Sequence, residues 1–217
     1  MSSASASTTG GPTRLDRRKA RTRQALIDAA VRLIAEGRGE RASIQEITDA
    51  ADIGFGSFYN HFESKDQLFE TASSEVLERW GRMIDGASAG ITDPAEVFSL
   101  SLRLSACLSW THPEVARFIT GAGLDLLDAP GGLAPRALRD IQAGQASGQF
   151  IGVDPEVALS AVAGGLIGLL RLHQRDPERA EESSVDELAE ACLRLLGLSG
   201  AKARRLARLP LPATEPW

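Results

Sequence analysis

The 217-residue chain is poor in cysteine, with two, and in aromatic residues, at 5%. Cys107 and Cys192 are too few for a disulfide-stapled fold or a zinc knuckle. A reducing, cytoplasmic setting is the simpler expectation. Catalytic signatures are missing too. His61, His112 and His173 are scattered, and there is no H-E-x-x-H, no G-x-S-x-G and no phosphate loop. No enzyme, no metal and no cofactor is expected. The longest apolar run, Val157 to Leu170, is 14 residues long, which suits a buried helix and falls short of a bilayer span. The N-terminal stretch is rich in Ser, Ala, Thr and Gly and has no apolar signal region, so neither export nor a membrane partner is expected. Strand signals are absent: there is no sustained alternation and no Asn-Gly or Asp-Gly hairpin.

What remains is an ordinary globular composition, 43% hydrophobic and 24% charged, long enough to bury a real core. The formal net charge of −5 argues at face value against a polyanionic partner. That average hides an asymmetry. Residues 1–65 hold ten basic and eight acidic side chains, a surplus of two, whereas the rest of the chain carries −7. Six basic residues lie between Arg14 and Arg23, opposed by Asp16 alone. One end is built to meet a polyanion, or it is simply a solvated basic helix start.

Helical periodicity recurs along the chain. Leu26, Ile27, Ala30, Leu33 and Ile34 keep 3–4 spacing from Asp16 to Glu36, with Gly37 and Gly39 as stops. Ser43-Ile-Gln-Glu46, Ser64-Lys-Asp-Gln67 and Ser184-Val-Asp-Glu187 read as capping boxes. Asp93-Pro94 and Asp154-Pro155 each place an N-cap before proline. About nine helices are expected, in an all-α fold.

Residues 43–62 read SIQEITDAADIGFGSFYNHF. Two short helices joined by a tight turn, with Ile44, Ile47, Ala51, Ile53, Phe58 and Phe62 inside, have the arithmetic of a helix-turn-helix. The second helix then turns Phe55, Gly56, Ser57, Tyr59, Asn60 and His61 outward, toward a major groove about 12 Å wide. Ser43, Gln45 and Lys65, with Arg17, Arg18, Arg21 and Arg23 on the first long helix, complete a candidate DNA face. The segment resembles the DNA-binding domain of the TetR family of bacterial transcriptional repressors. Ser43, Ile47, Ala51, Ile53, Gly56, Phe58, Tyr59, His61, Phe62, Lys65 and Leu68 fall on that family's pattern, over about a quarter of the chain. The resemblance implies nine helices, a homodimer and a C-terminal domain that takes a small effector. It also implies phosphate contacts for Tyr59 and Lys65. For Phe55, Ser57 and Asn60, base reading and plain exposure both stand. Three positions depart from the pattern: Asp52 stands for the turn glycine, Gly54 for the N-cap serine and Thr48 for alanine. Aspartate tolerates the left-handed turn conformation, and glycine at an N-cap costs only a few tenths of a kcal/mol.

The C-terminal half offers two further expectations. Trp80, Met83, Phe98, Leu102, Cys107, Trp110, His112 and Phe118 could line a pocket for a small, mostly apolar effector, the bland alternative being core packing. Ala161, Gly164, Gly165 and Gly168 cluster on one helix, where glycine is costly unless another helix comes close. With Leu188, Cys192 and Leu195 on the last long helix they suggest a four-helix dimer seam, or tight packing within one protomer. The expected organisation is a flexible arm at 1–13, a three-helix helix-turn-helix domain at 14–75, an effector-binding and dimerisation domain at 76–200 and a flexible tail at 201–217. The function expected is a homodimeric repressor released from a palindromic operator by its effector. The rival is a small-molecule-binding or interaction protein that has lost specific DNA binding.

Overall fold

The computed structural model describes residues 13–36, 38–129 and 131–212. The expected N-terminal arm up to residue 12, the stop residue Gly37 and residues 213–217 of the expected tail lie outside the described residues. Among the described residues there are nine α-helices, four short 3-10 segments and no strand. The helices are α1 (Arg14–Ala35), α2 (Ile44–Ala50), α3 (Lys65–Ala87), α4 (Pro94–Thr111), α5 (Pro113–Ala122), α6 (Leu133–Ala146), α7 (Pro155–Arg175), α8 (Glu182–Leu195) and α9 (Gly200–Ala207).

Most helix starts follow from local chemistry. Ser43 and Glu46 form a reciprocal capping box on α2, and Thr13 and Asp16 do the same for α1. Ser64 accepts from the Gln67 N–H, but the Gln67 side chain takes the Glu63 N–H instead, so this box is half-formed. Asp93 and Asp154 cap α4 and α7 ahead of their prolines. The expected box at Ser184 is not formed. Helix α8 starts earlier, at Glu182, and the Ser184 hydroxyl donates back to the Glu181 carbonyl and also meets the His173 ring.

The chain beyond residue 200 also differs from expectation. Residues 200–207 form α9 rather than a loose tail, with Ala203, Leu206 and Ala207 buried. Two α4 side chains hold this end in place. Ser99 donates to the Leu206 carbonyl, and the buried Arg103 donates to the Leu209 carbonyl while pairing with Asp186. The prolines that suggested a tail start only at Pro210, after α9 has ended.

Three apolar clusters organise the helices. The first joins α1, α2 and the N-terminal part of α3 around Leu26, Ile47, Phe58 and Leu68. The second gathers Leu77, Trp80 and Ile84 of α3 with Leu104, Leu108, Phe118 and Ile119. The third packs α4, α6, α7, α8 and α9 around Phe98, Ile141, Phe150 and Leu193. Helix α3 is shared: Leu68 and Ala72 belong to the first cluster and Val76 to Ile84 to the second. It runs from the helix-turn-helix into the C-terminal bundle.

Candidate nucleic-acid interface and ligand cavity

The turn between the two short helices forms as its residue types allow. Asp52 sits at φ 54°, in the left-handed region where aspartate is one of the tolerated residues. The Ile53 N–H bonds the Thr48 carbonyl across the turn. Thr48 is buried, and its hydroxyl is satisfied by the Ile44 and Gln45 carbonyls. Gly54 caps the next segment without a side-chain bond. That segment, Phe55–Asn60, winds as a 3-10 helix rather than an α-helix, a form suited to very short pieces. Phe58 anchors it, fully buried.

The outward face carries most of the expected residues. Phe55 is 47% exposed and Tyr59 57%, with their rings edge to face 6.1 Å apart. Gly56 and Asn60 are exposed and Ser57 is half-buried. Arg17, Arg18 and Arg21 are exposed on α1, and Lys65 is half-buried at the start of α3. Ser43 is exposed but committed to Glu46, and Gln45 is exposed and bonded to Asp49. Two residues are engaged within the protomer. Arg23 pairs with Glu75 at 3.3 Å and lies 5.0 Å over the Phe62 ring, with its side chain still 43% exposed. His61 is half-buried, with a buried Nδ1 that has no partner among the described residues. Burial, with Lys19 and Arg23 nearby, lowers its pKa.

A cavity of about 90 Å³ lies among α3, α4, α5, α6 and α7. Its apolar wall includes Leu77, Ile84, Phe98, Leu102, Ile119 and Leu166. Of the eight expected pocket residues only Phe98 and Leu102 line it. Trp80 is core, and its indole N–H reaches the lining Ser105 hydroxyl at 3.3 Å. Met83 packs against the second cluster and Phe118 lies within it. Cys107 belongs to a separate small cluster with Val185. His112 is buried edge-on to Trp80, 5.4 Å between rings. Trp110 is 37% exposed and leans on His173 instead. Burial pushes both cysteine thiols up to about 11.

The polar part of the cavity was missed from sequence. Ser101, Ser105, Arg136 and Asp140 line it. Asp140 is buried, and burial raises its carboxyl pKa against the pull of Arg139. Arg136 grips Glu78 with both terminal nitrogens and reaches Asp85 through Nε at 2.8 Å. Arg136 holds the Glu78 carboxyl down at about 2, helped by the Gly132 N–H. A sequence signal did exist. Arg136, Arg139 and Asp140 recur at 3–4 spacing, a charged stripe on an otherwise mixed helix.

Residues 26–72 match the family model for bacterial regulatory proteins of the tetR family, and residues 93–209, over half the chain, match that for the tetracyclin repressor-like C-terminal domain. This chain belongs to the TetR family. Its members are transcriptional regulators, not enzymes. Among solved structures it is similar to RolR in complex with resorcinol, at 32% identity and a TM-score of 0.72 over 92% of this chain and 99% of that one. Among curated proteins it resembles the A-factor receptor protein of Streptomyces griseus, 25% identical over 76% of this chain and 59% of that one. It also resembles the transcriptional repressor KstR2 of Rhodococcus jostii, 32% identical over 45% of this chain and 48% of that one. The chain thus spans about half the length of these two curated relatives.

One more surface of this TetR-family chain stands out. Helix α7 is 21 residues long, and among the described residues it alone has the length and apolarity of a membrane span, yet only 17% of its most apolar window is buried. Ala161, Gly164 and Gly168 are exposed, as are Val157 at 61% and Leu195 at 42%. A Cβ on Gly164 or Gly168 would meet nothing within 4 Å. Packing inside the protomer therefore leaves these two glycines unexplained. Gly165 differs: its Cβ position lies 3.0 Å from the half-buried Leu188 side chain, so it does serve packing within the protomer. Cys192, expected at the seam, is turned into the third cluster.

Proposed function

We propose that the protein is a ligand-responsive homodimeric repressor, released from a palindromic operator when a small, mostly apolar effector fills the cavity between α3 and α7. The observation that carries this reading is the exposed pair Phe55 and Tyr59 on the Phe55–Asn60 segment, flanked by exposed arginines on α1. Large aromatics left in water beside a cationic helix suit a DNA groove and its phosphates. The apolar lining of the cavity supports the effector class, and the similar RolR was solved with resorcinol bound. The unfilled face of α7, with Leu195 of α8, supports a seam of two helices from each protomer. Such a dimer sets its two recognition segments one DNA turn apart, about 34 Å. The charge asymmetry fits, since the −7 lies on the chain after residue 65 and the surplus of basic residues lies before it. In cytoplasm the buried thiols stay reduced.

A band-shift titration against the DNA upstream of the protein's own reading frame tests this. Salt-dependent binding to a palindrome there, relieved by a small phenol, is expected. No such binding rules out autoregulation through that site.

A further inference from the structure

The cavity among helices α3 to α7 has one wall unlike the rest. The α-helical walls are tied to one another by side-chain bonds. Helix α3 meets α4 through Trp80 and Ser105, and α6 through the pairs of Arg136 with Glu78 and Asp85. Helix α4 meets α7 where the Ser109 hydroxyl lies 2.8 Å from the His173 ring. Helix α5 meets α7 twice at Thr120: its hydroxyl donates to the Gln174 side chain, and its carbonyl accepts from Arg171. The remaining lining comes from the 3-10 segment Gly123–Asp128, through Gly123, Leu126 and Leu127. No residue of this segment is buried, and Leu124 is 54% exposed. Among the described residues no hydrogen bond or ion pair joins residues 124–128 to another element. Apolar contact holds the segment down, with Leu126 packed against the second cluster.

Both ends of this wall are anchored, and each anchor adjoins a glycine. Upstream, Thr120 is clamped by α7, and Gly123 follows at φ 63° and ψ −141°. Downstream, the Gly132 N–H donates to Glu78 and its carbonyl accepts from Arg136, at φ 81°. Residues with a side chain rarely adopt such conformations. Hinges are a few positions at element ends that absorb the φ/ψ change of a moving segment. A cavity of about 90 Å³, bounded elsewhere by close-packed helices, admits a ring-sized guest only through a local opening. The wall with the fewest buried contacts and ties opens most easily.

Building on the effector reading above, we propose that Gly123–Asp128 is the door of the cavity, swinging about Gly123 and Gly132 to admit a neutral, ring-sized molecule, with Leu126 as its latch. The lining that the door carries is apolar, so a charged molecule would lose its water on the way in. The door governs how fast a guest exchanges. The helical walls supply most of the lining and govern how tightly the guest is held. Trimming the latch therefore acts on the rate of access, whereas trimming a helical wall acts on the volume of the cavity.

The test uses the full chain and needs neither effector nor DNA. Ser105→Cys places a thiol in the cavity wall at a position 4% exposed. The probe is 4,4′-dithiodipyridine, a neutral aromatic disulfide, and peptide mass mapping separates this thiol from Cys107 and Cys192. Adding Leu126→Ala is expected to speed labelling at least tenfold. Adding Ile167→Ala, a truncation of similar size in the α7 wall, is expected to change it less than threefold. Gly123→Ala penalises the closed hinge and is expected to speed labelling as well. Gly121→Ala, where a Cβ meets nothing within 4 Å, is expected to leave it unchanged. Circular dichroism and urea midpoints verify that each variant is folded, and Leu102→Cys gives the same reading should Ser105→Cys not fold. Acceleration below threefold in Leu126→Ala, or one matched by Ile167→Ala, overturns the door. Equal effects of Gly123→Ala and Gly121→Ala overturn the hinge. Resorcinol at millimolar concentration is expected to slow labelling; a failure there counts against the effector reading alone and leaves the other outcomes standing.

Discussion

Arg136 holds Glu78 with parallel bonds from its two terminal nitrogens, each 2.9 Å long, and so fastens α6 to α3. The fork geometry of guanidinium and carboxylate makes such a pair stronger than a single contact. The same side chain crosses α3 at the one position where no side chain stands in its way. A Cβ on Gly81 would lie 2.5 Å from Arg136 Nη1. Gly81 thus makes room for the joint between the cavity wall and the helix that leads to the helix-turn-helix.

Gly81→Ala therefore sets two effects against each other. Alanine gains about 1 kcal/mol of helix propensity over glycine. Displacing Arg136 leaves Glu78 and Asp85 without their partner, which for half-buried pairs costs more. A net loss of about 1–2 kcal/mol is expected in urea unfolding. Arg136→Met should cost a similar amount alone and little more on top of Gly81→Ala. Additive losses would mean that Gly81 and Arg136 act independently.

The Glu78 pairing also fixes a pH window. Its carboxyl is held at about 2, below its ordinary 4.5. A depressed carboxyl pKa adds stability above the unfolded value and loses it as pH falls through the folded value. Glu78→Gln should therefore be less stable than the wild type at pH 7. The two should converge as pH falls from about 4.5 to about 2. The side chain is 36% exposed, so the gap at neutral pH should be modest. Thermal unfolding of both proteins across this range checks the convergence.

The sequence carried the helix-turn-helix well and the cavity poorly, for a physical reason. Ser43, Glu46, Asp52 and Phe58 act over a few residues, through caps, a turn and one buried ring. Local spacing is enough to read them. The cavity is assembled from α3, α4, α5, α6 and α7, segments up to 90 residues apart, such as Leu77 and Ile167. Size and apolarity pointed to Trp80 and Phe118, but those are the residues that fill a core rather than line a hole. Arg23 shows contacts that composition could not reveal. It belongs to the basic run, but its position on α1 turns it toward Glu75 and Phe62. The final helix was hidden because Pro210 and Pro212 dominate the composition just beyond it.

The difference between Arg23 and its neighbours predicts a split in behaviour. Arg17→Ala, Arg18→Ala and Arg21→Ala should each flatten the dependence of log affinity on log salt by up to about one unit, with unchanged stability. Arg23→Ala should leave that slope in place and lower the urea midpoint. Tyr59→Ala should weaken operator binding by about 1–3 kcal/mol if its hydroxyl donates to a phosphate. Tyr59→Phe isolates the hydroxyl, because it keeps the ring against Phe55 and Phe58. Filter binding over a salt series measures all six variants.

The glycines of α7 separate assembly from folding. A side chain at Gly164 points into open space in the protomer, so Gly164→Leu should not strain the fold. It should even gain helix propensity, up to about 1 kcal/mol. In a four-helix seam the same leucine would force two α7 helices apart, because small residues are what let backbones approach. The expected outcome is a folded monomer in sedimentation, with helical circular dichroism intact and operator affinity reduced because the two half-sites are no longer bound together. Gly165→Leu should behave differently. It meets Leu188 inside the protomer and should lower the unfolding midpoint itself. A Gly164→Leu protein that stays dimeric would move the seam off this face of α7.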